Sequence, residues 1–268
     1  MNNGELFLNI LKENNAVDIL RSMDQSGALC ELLPELCALK HHGKVNNIDP
    51  KFDHKDNFVH TLKVLQNVID IDGNIELRLT AIFHDLGKAT TKRIDSNKGF
   101  TFHNHENVSG DILRKVFTRL NLSTDNKLFN NVFLLVTLHG RPKALTEEGV
   151  SDSAIRRLLV DCGSPEIANL LLDFVTCDTT TSNEFKRNKY KEEMISLKKD
   201  LVRIIDQDEE AKWRPPINGD RIMELTGLKP GRELANIISL MKEKLKNKEL
   251  EENVEACELF IFNTIKNK

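Results

Sequence analysis

The chain has 268 residues, of which 40% are hydrophobic and 29% are charged, and its net charge is −3 at pH 7. This balance is ordinary for a globular protein with a buried core, and it excludes a chain that is basic overall, so any basic surface must be local. The sequence contains no run of about 18 apolar residues, so it predicts no membrane-spanning helix. The N-terminus lacks the basic start and apolar core of a signal peptide.

The cysteine content indicates the redox compartment. Five cysteines are an odd number, and no pair has CxxC spacing. We interpret them as reduced, mostly buried thiols of a cytoplasmic protein. They are Cys30, Cys37, Cys162, Cys177 and Cys257.

Helical periodicity of apolar residues runs through most of the chain. It predicts short helices over 5–40, and a polar loop follows over 41–53. The only segment with a strand pattern is 92–102, which could form a small hairpin. The expected fold is therefore all-α with at most one small β-hairpin. The remaining predicted helices cover 55–70, 75–86, 106–120, 125–139, 151–161, a segment that Pro165 opens, 184–210, 219–226, 230–246 and 251–266.

Several polar residues interrupt these apolar faces. His84, His139 and Asp178 each extend an apolar stripe, and His60 lies at the edge of another. A single such residue is usually a hydrogen-bonded core residue. Together with Asp85, which follows His84 directly, they indicate a shared cation, because a metal ion stabilises neutral imidazoles and ionised carboxylates.

The other histidines are less informative. His103 and His105 flank Asn104 just before a helix, and spacing does not decide whether either is a ligand. The histidines in the polar loop are expected to be solvated. These are His41, His42 and His54.

The order His60, His84-Asp85, Asp178 resembles the HD phosphohydrolase superfamily. His105 and His139 fall where its two-metal members carry extra histidines. The chain is similar, more closely still, to the C-terminal half of bacterial tRNA nucleotidyltransferases, the CCA-adding enzymes. The segments that carry this resemblance are 52–65, 83–88, 102–106 and 217–231.

This resemblance implies a domain organisation. Residues 1–50 would form a helical neck-like segment, 51–210 the HD phosphohydrolase core, and 211–268 a helical segment packed on that core. The family also has a nucleotidyltransferase head with a Gly-Ser and Asp-x-Asp pattern, which we do not find in this sequence. Addition of CCA or adenylate by this chain alone is therefore not expected. Two further departures, Asn104 and the Thr179-Thr-Thr181 run, could alter the shape of a pocket.

The resemblance implies a metal-dependent phosphohydrolase for nucleotide or RNA-end phosphoesters, of the 2′,3′-cyclic phosphodiesterase, 2′-nucleotidase or phosphatase type. A metal ion would lower the pKa of a bound water and polarise a phosphoryl oxygen. The donor set suits Mn, Fe, Ni, Co, Mg or Zn. The predicted metal ligands are His60, His84, Asp85, His105, His139 and Asp178.

Within this set we assign roles to individual residues. Asp85 would bridge two cations, and it forms the predicted catalytic group with His84, Lys88 and His105. Lys88, Arg141, His105 and His139 would contact the substrate phosphate.

Two alternatives stay open. The chain could be a tRNA- or RNA-binding accessory module without catalysis of its own, or a (deoxy)nucleotide phosphohydrolase. Basic residues over 186–191 and 241–248 could meet RNA phosphates, but alternating acidic residues favour an ordinary solvated helix face. A homodimer also stays open.

Overall fold

The computed structural model describes residues 2–40, 56–95 and 99–266, except for the side chains of residues 147 and 148. Helices and one two-stranded antiparallel sheet make up its regular structure, which confirms the predicted all-α fold with a small hairpin. The predicted loop over 41–53 and the histidines at 41, 42 and 54 lie outside the described residues.

The elements follow one another in chain order. They are α1 Asn3–Lys12, α2 Ala16–Ser26, α3 Ala28–Leu32, α4 Pro34–Cys37, α5 Asn57–Asp70, α6 Ile75–Phe83, α7 Lys88–Thr91, β1 Arg93–Asp95, β2 Gly99–Thr101, α8 His105–Arg119, α9 Lys127–Leu138, α10 Arg141–Glu148, α11 Asp152–Cys162, α12 Pro165–Asp178, α13 Glu184–Lys212, α14 Gly219–Thr226, α15 Arg232–Lys246 and α16 Val254–Lys266.

The chain divides into two compact units, residues 1–205 and 206–268, and the boundary falls within α13. The first unit has a hydrophobic core that extends from α1 to α13. The second has its own smaller core, built around Ile222, Ile237 and Met241. The neck, core and tail boundaries expected from the sequence, and the packing of 211–268 on the core, stay predictions.

Helix α6 is the central helix of the first unit. Its residues from Leu77 to Phe83 are all buried, which is typical of a helix surrounded by others. It contacts α5 and α9 extensively, and also α1, α8 and α12. The Asn74 side chain caps its start by accepting the Leu77 N–H at 3.0 Å. The residues that follow this helix are therefore placed at the centre of the unit.

Two helical predictions need correction. The helix predicted over 75–86 ends at Phe83, and residues 84–87 form a turn. Gly87, the last residue of this turn, has φ −63° and is therefore not in the left-handed conformation. Helix α10 was not predicted, because the polar sequence from Arg141 to Glu148 carries no apolar stripe.

The cysteine interpretation is wrong for one pair. Cys30 and Cys37 form a disulfide bond. Their helices α3 and α4 bring the two Cα atoms to 5.6 Å, a separation that a disulfide spans without distortion, and sequence spacing alone could not show this proximity. Cys162, Cys177 and Cys257 are free and buried, as expected.

None of the helices in the described part of the chain is long and apolar enough to cross a membrane.

Candidate metal centre

The six predicted metal ligands come together in the first unit, and most of them lie at helix ends. His60 is in the first turn of α5, and His84 and Asp85 directly follow α6. The other three are the first residue of α8, the residue after α9 and the last residue of α12. They are His105, His139 and Asp178.

One group of ligand atoms contains His60, His84 and Asp178. Asp178 Oδ1 lies 3.0 Å from His60 Nε2 and 3.4 Å from His84 Nε2. The two imidazole Nε2 atoms are 3.4 Å apart. Asp85 faces this group with its Oδ2, which lies 3.4 Å from His60 Nε2 and 3.2 Å from His84 Nε2.

A second group contains Asp85, His105 and His139. Asp85 Oδ1 lies 3.4 Å from His105 Nε2 and 3.9 Å from His139 Nε2. The two imidazole Nε2 atoms are 3.3 Å apart. The two oxygens of Asp85 therefore face different groups, as in a carboxylate that bridges two cations.

These separations suit metal coordination. Ligand atoms about 2.1 Å from one ion are about 3.0 Å apart at a right angle and about 3.4 Å apart at a tetrahedral angle. Within the two groups, the quoted separations run from 3.0 to 3.4 Å, and only the His139–Asp85 pair, at 3.9 Å, is wider. The geometry is therefore close to that of two adjacent cation sites.

The outer nitrogen of each imidazole has its own partner. Nδ1 of His84, His105 and His139 lies 3.0, 2.9 and 2.7 Å from the backbone carbonyl oxygen three residues earlier in the chain. His60 Nδ1 lies 2.9 Å from Thr180 Oγ1. A carbonyl oxygen only accepts, so in the first three imidazoles Nδ1 carries a hydrogen and the ring turns its Nε2 inward, where a neutral ring would offer a lone pair to a metal ion.

Two inward-facing carboxylate oxygens have no hydrogen-bond donor among the described residues. They are the buried Asp85 Oδ1 and Asp178 Oδ1. An unpaired buried carboxylate oxygen is costly, and an Nε2 atom that carries no hydrogen cannot donate to it. A cation at each group would satisfy both oxygens, so the residues fit divalent metal ions.

The pKa values of the buried groups also reflect the negative charge of the two carboxylates in the centre. Burial disfavours a charged imidazole at His84, but the carboxylates of Asp85 and Asp178 outweigh burial and raise its pKa to about 10. Burial and the charge of His84 lower the pKa of His139 to about 4. Burial would raise the pKa of Asp85, but His84 and Lys88 hold it well below its usual range. The pocket therefore retains positive charge against these carboxylates, either as a proton or as a metal ion.

The remaining predicted site residues differ in position. Lys88 lies at the centre, with Nζ 2.7 Å from Asp85 Oδ2. The structure does not bring Arg141 into the ligand groups, because its guanidinium pairs with Asp161 at 2.8 Å and its side chain is half exposed. His103 is exposed, so of the two histidines beside Asn104 it is His105 that faces Asp85.

Two contributors to the centre were not identified from the sequence. Thr180 contacts His60 across 120 positions of the chain, and no local pattern marks such a contact. Gly87 allows α8 to approach, since a Cβ there would lie 2.3 Å from His105 O and 2.9 Å from Ser109 N. Its backbone N–H donates to Ser109 Oγ at 2.9 Å. The only sequence feature that could have suggested this contact is the presence of a glycine within the segment 83–88.

Comparison with known proteins places this centre within a family. A family model described as HD domain matches residues 57–211, more than half of the chain and a range that contains all six ligands. An A-adding tRNA nucleotidyltransferase from Deinococcus radiodurans is 26% identical over 241 residues, which cover 87% of this chain and 51% of that protein.

Two further relatives agree with this. A CC-adding tRNA nucleotidyltransferase from Thermus thermophilus is 26% identical over 229 residues, 84% of this chain and 48% of the relative. A multifunctional CCA protein from Mannheimia succiniciproducens is 39% identical over 88 residues, 31% of this chain and 20% of the relative. The chain spans about half the length of the two tRNA nucleotidyltransferases.

Proposed function

Because the chain belongs to the HD-domain family, we propose that it is a metal-dependent phosphohydrolase that acts on nucleotide or RNA-end phosphoesters. The observation that carries the proposal is the position of Asp85. One buried carboxylate turns one oxygen to His60 and His84 and the other to His105 and His139. A structural role in the core would not require four inward-facing imidazoles around one acid.

The residues of the chain would share the work of hydrolysis. His60, His84, Asp85 and Asp178 would hold one divalent cation, and Asp85 would share a second with His105 and His139. Such cations supply Lewis acidity toward a phosphoryl oxygen and lower the pKa of coordinated water. The backbone carbonyls behind the imidazoles keep each ring oriented. Lys88 would neutralise charge on the substrate phosphate from beside Asp85.

The relatives support an RNA end as the substrate. Two of them are named as A-adding and CC-adding tRNA nucleotidyltransferases, and the third as a multifunctional CCA protein. An RNA 3′ end can carry a 2′,3′-cyclic phosphate or a 2′-phosphate, both of which a centre of this kind can hydrolyse. We therefore rank 2′,3′-cyclic phosphodiesterase and 2′-phosphatase activity above hydrolysis of free (deoxy)nucleotides.

The same names favour a second candidate, an accessory module that binds tRNA and performs no hydrolysis. The two candidates differ in whether the function of the protein depends on the carboxylates of the metal centre. A binding module would retain its RNA affinity when the ligands of the centre are replaced, whereas a hydrolase would lose its activity.

The test is metal analysis of the purified protein together with a panel of phosphoesters. The panel contains 2′,3′-cyclic nucleotides, 2′-, 3′- and 5′-monophosphates, dNTPs and an RNA that ends in a 2′,3′-cyclic phosphate. We expect Asp85→Asn and Asp178→Asn to lose bound metal and to lower hydrolysis by about a thousandfold or more.

Asp173→Asn is the matched control. Asp173 lies on the same helix as Asp178, but it pairs with Lys198 away from the centre. This variant should keep the metal content and activity of the wild type. Full hydrolysis by Asp85→Asn would overturn the proposal, and RNA binding without hydrolysis of any panel member would favour the accessory module.

A further inference from the structure

A cavity of about 350 Å³ lies beside the metal centre, in the first unit. It is lined by residues of α5, by the segment around Thr180 that follows α12, and by the start of α13. Thr180 contacts a ligand of the metal centre and also lines the cavity. Its Oγ1 lies 2.9 Å from His60 Nδ1. Thr180 therefore links the cavity to the first ligand group, on the outer side of the His60 ring.

The lining carries an excess of positive charge. Lys63, Arg187 and Lys191 line the cavity, and Asp70 is the only carboxylate among the residues described as lining it. Asp70 Oδ1 already accepts a hydrogen bond from Gln66 at 2.8 Å. Within the described residues, none of the three cations forms an ion pair. All three side chains are exposed, and together they give the cavity a positive surface that would attract an anion.

The orientation of α13 separates its basic residues into two sets. Arg187 and Lys191 are four positions apart, on one side of the helix, and both line the cavity. Lys189 points elsewhere and pairs with Glu193 at 3.8 Å. The acidic residues that alternate with these cations in the sequence do not line the cavity. Arg187 and Lys191 are exposed, as on a solvated helix face, but unlike Lys189 they also line the cavity.

Hydrogen-bonding and aromatic groups complete a surface suited to a nucleotide. Thr181 Oγ1 accepts the Asn183 N–H at 3.3 Å, which leaves its hydroxyl hydrogen to donate. Lys63 Nζ lies 3.3 Å from Thr180 O, which holds the ammonium at the rim. The half-buried side chain of Tyr190 also lines the cavity. Aromatic rings of this kind can stack on any of the four bases.

We propose that this cavity binds the phosphate and nucleoside next to the hydrolysed end of an RNA strand. The inference rests on the proposed function, since it presumes that the reactive phosphate lies at Asp85 beside Lys88. A mononucleotide has one phosphate, which Lys88 and the metal centre would hold, and it would leave the three cavity cations with only Asp70 as a counter-charge. A polynucleotide supplies a second phosphate. The centre should therefore prefer RNA ends to mononucleotides.

The first test measures binding without hydrolysis. The probe is a fluorescent five-nucleotide RNA with a 3′-hydroxyl end, titrated with protein at several salt concentrations. We expect Arg187→Gln/Lys191→Gln to weaken binding about tenfold or more. The slope of log affinity against log salt should fall by about 0.7 for each phosphate that the variant no longer binds. The matched control is Lys186→Gln/Lys189→Gln, which removes the same charge from the same turn of α13 and should stay within about twofold of the wild type.

The second test measures hydrolysis. The substrates are 2′,3′-cyclic AMP and a tetranucleotide RNA that ends in a 2′,3′-cyclic phosphate. We expect Arg187→Gln/Lys191→Gln to raise KM for the tetranucleotide about tenfold and to leave kcat and KM for cyclic AMP unchanged.

The outcomes separate the two proposals. An equal loss of RNA binding in the control pair would overturn the cavity site, because general surface charge would then explain the effect. An equal rise in KM for cyclic AMP would also overturn it. If the wild type hydrolyses no phosphoester, the proposed function fails, and the binding titration still decides whether the cavity holds RNA.

Discussion

Lys88 Nζ lies 2.7 Å from Asp85 Oδ2, the same oxygen that faces His60 and His84. Lys88 is thus both a neighbour of the candidate metal ligands and a cation that competes for one of them. Its side chain is 20% exposed, so it can also reach a substrate. A substitution of Lys88 can therefore change metal affinity and catalysis in different directions.

We predict that Lys88→Gln changes these two properties in opposite directions. Removing a positive charge beside Asp85 lowers the repulsion of a divalent ion, so the metal should bind more tightly. Without the ammonium to hold the substrate phosphate, kcat/KM should fall about a hundredfold. Calorimetric metal titration and steady-state kinetics measure the two effects. Lys92→Gln is the control, since Lys92 lies over the Phe100 ring. Weaker metal binding in Lys88→Gln would show that the lysine supports the site rather than competing for it.

Thr180→Val should loosen His60 while keeping the volume of the side chain. The variant removes the partner of His60 Nδ1, and loss of such an outer partner typically lowers metal affinity about 10- to 100-fold. Thr180→Ser restores the hydroxyl and should restore the affinity. The measurement is a competition titration with a metal-binding dye. Equal affinities in the Val and Ser variants would assign the hydroxyl no part in orienting the ring.

Gly87→Ala should damage the centre through the backbone. The added Cβ would lie 2.3 Å from His105 O, so α8 must shift and carry His105 with it. We expect a loss of about 1–3 kcal/mol in the free energy of unfolding together with a lower metal content per folded molecule. Urea unfolding and elemental analysis measure these quantities.

Gly219→Ala is the comparison for this variant, since its added Cβ would meet only the flexible Ile238 side chain at 3.3 Å. Its stability should stay close to that of the wild type. A fully stable Gly87→Ala protein with normal metal content would contradict the close approach.

Arg78→Met should destabilise the first unit without touching the centre. Arg78 is 5% exposed and donates to the carbonyls of Gly73, Leu11, Lys12 and Glu13 at 2.9–3.1 Å. Its loss leaves the last carbonyls of α1 without donors, at a cost of about 3 kcal/mol. Arg78→Lys should not rescue stability, because an ammonium lacks the planar fork. Activity per folded molecule should be unchanged in both variants.

The stability of metal-stripped protein should depend on alkaline pH. With a pKa raised to about 10 from 6.5, the proton on His84 contributes stability that is complete below pH 6.5 and is lost as the pH rises toward 10. A bound cation replaces this proton, so metal-loaded protein should lack this loss. Urea unfolding at pH 7 and pH 9.5, with and without chelator, measures the difference. Identical pH dependence of the two forms would contradict it.

Much of the fold could be predicted from the sequence because apolar periodicity marks long helices well. The segment from Gly219 to Thr226 was predicted with its observed bounds. His84, His139 and Asp178 could be selected because each extends an apolar stripe, whereas His105 was selected only through the resemblance to the HD superfamily. The limits have physical causes. Helix α10 has no apolar stripe, and the Cys30–Cys37 pairing depends on the angle between two short helices.

Contacts between distant residues were the main gap. The salt bridge of Arg141 with Asp161, the approach of α8 to Gly87 and the Thr180–His60 contact depend on tertiary packing. The Thr179-Thr-Thr181 run was noted only as a departure from the family pattern. Its role beside a charged cavity became visible once α5 and α13 were placed around it.

The partners of the four imidazoles have a consequence for how the centre assembles. The rings of His84, His105 and His139 are held by carbonyls within three residues, so the partner of each ring lies in its own local stretch of chain. His60 depends on residue 180. A chain cut before Thr180 would therefore lack the partner of His60 Nδ1, while the carbonyl partners of the other three imidazoles would all be present in it.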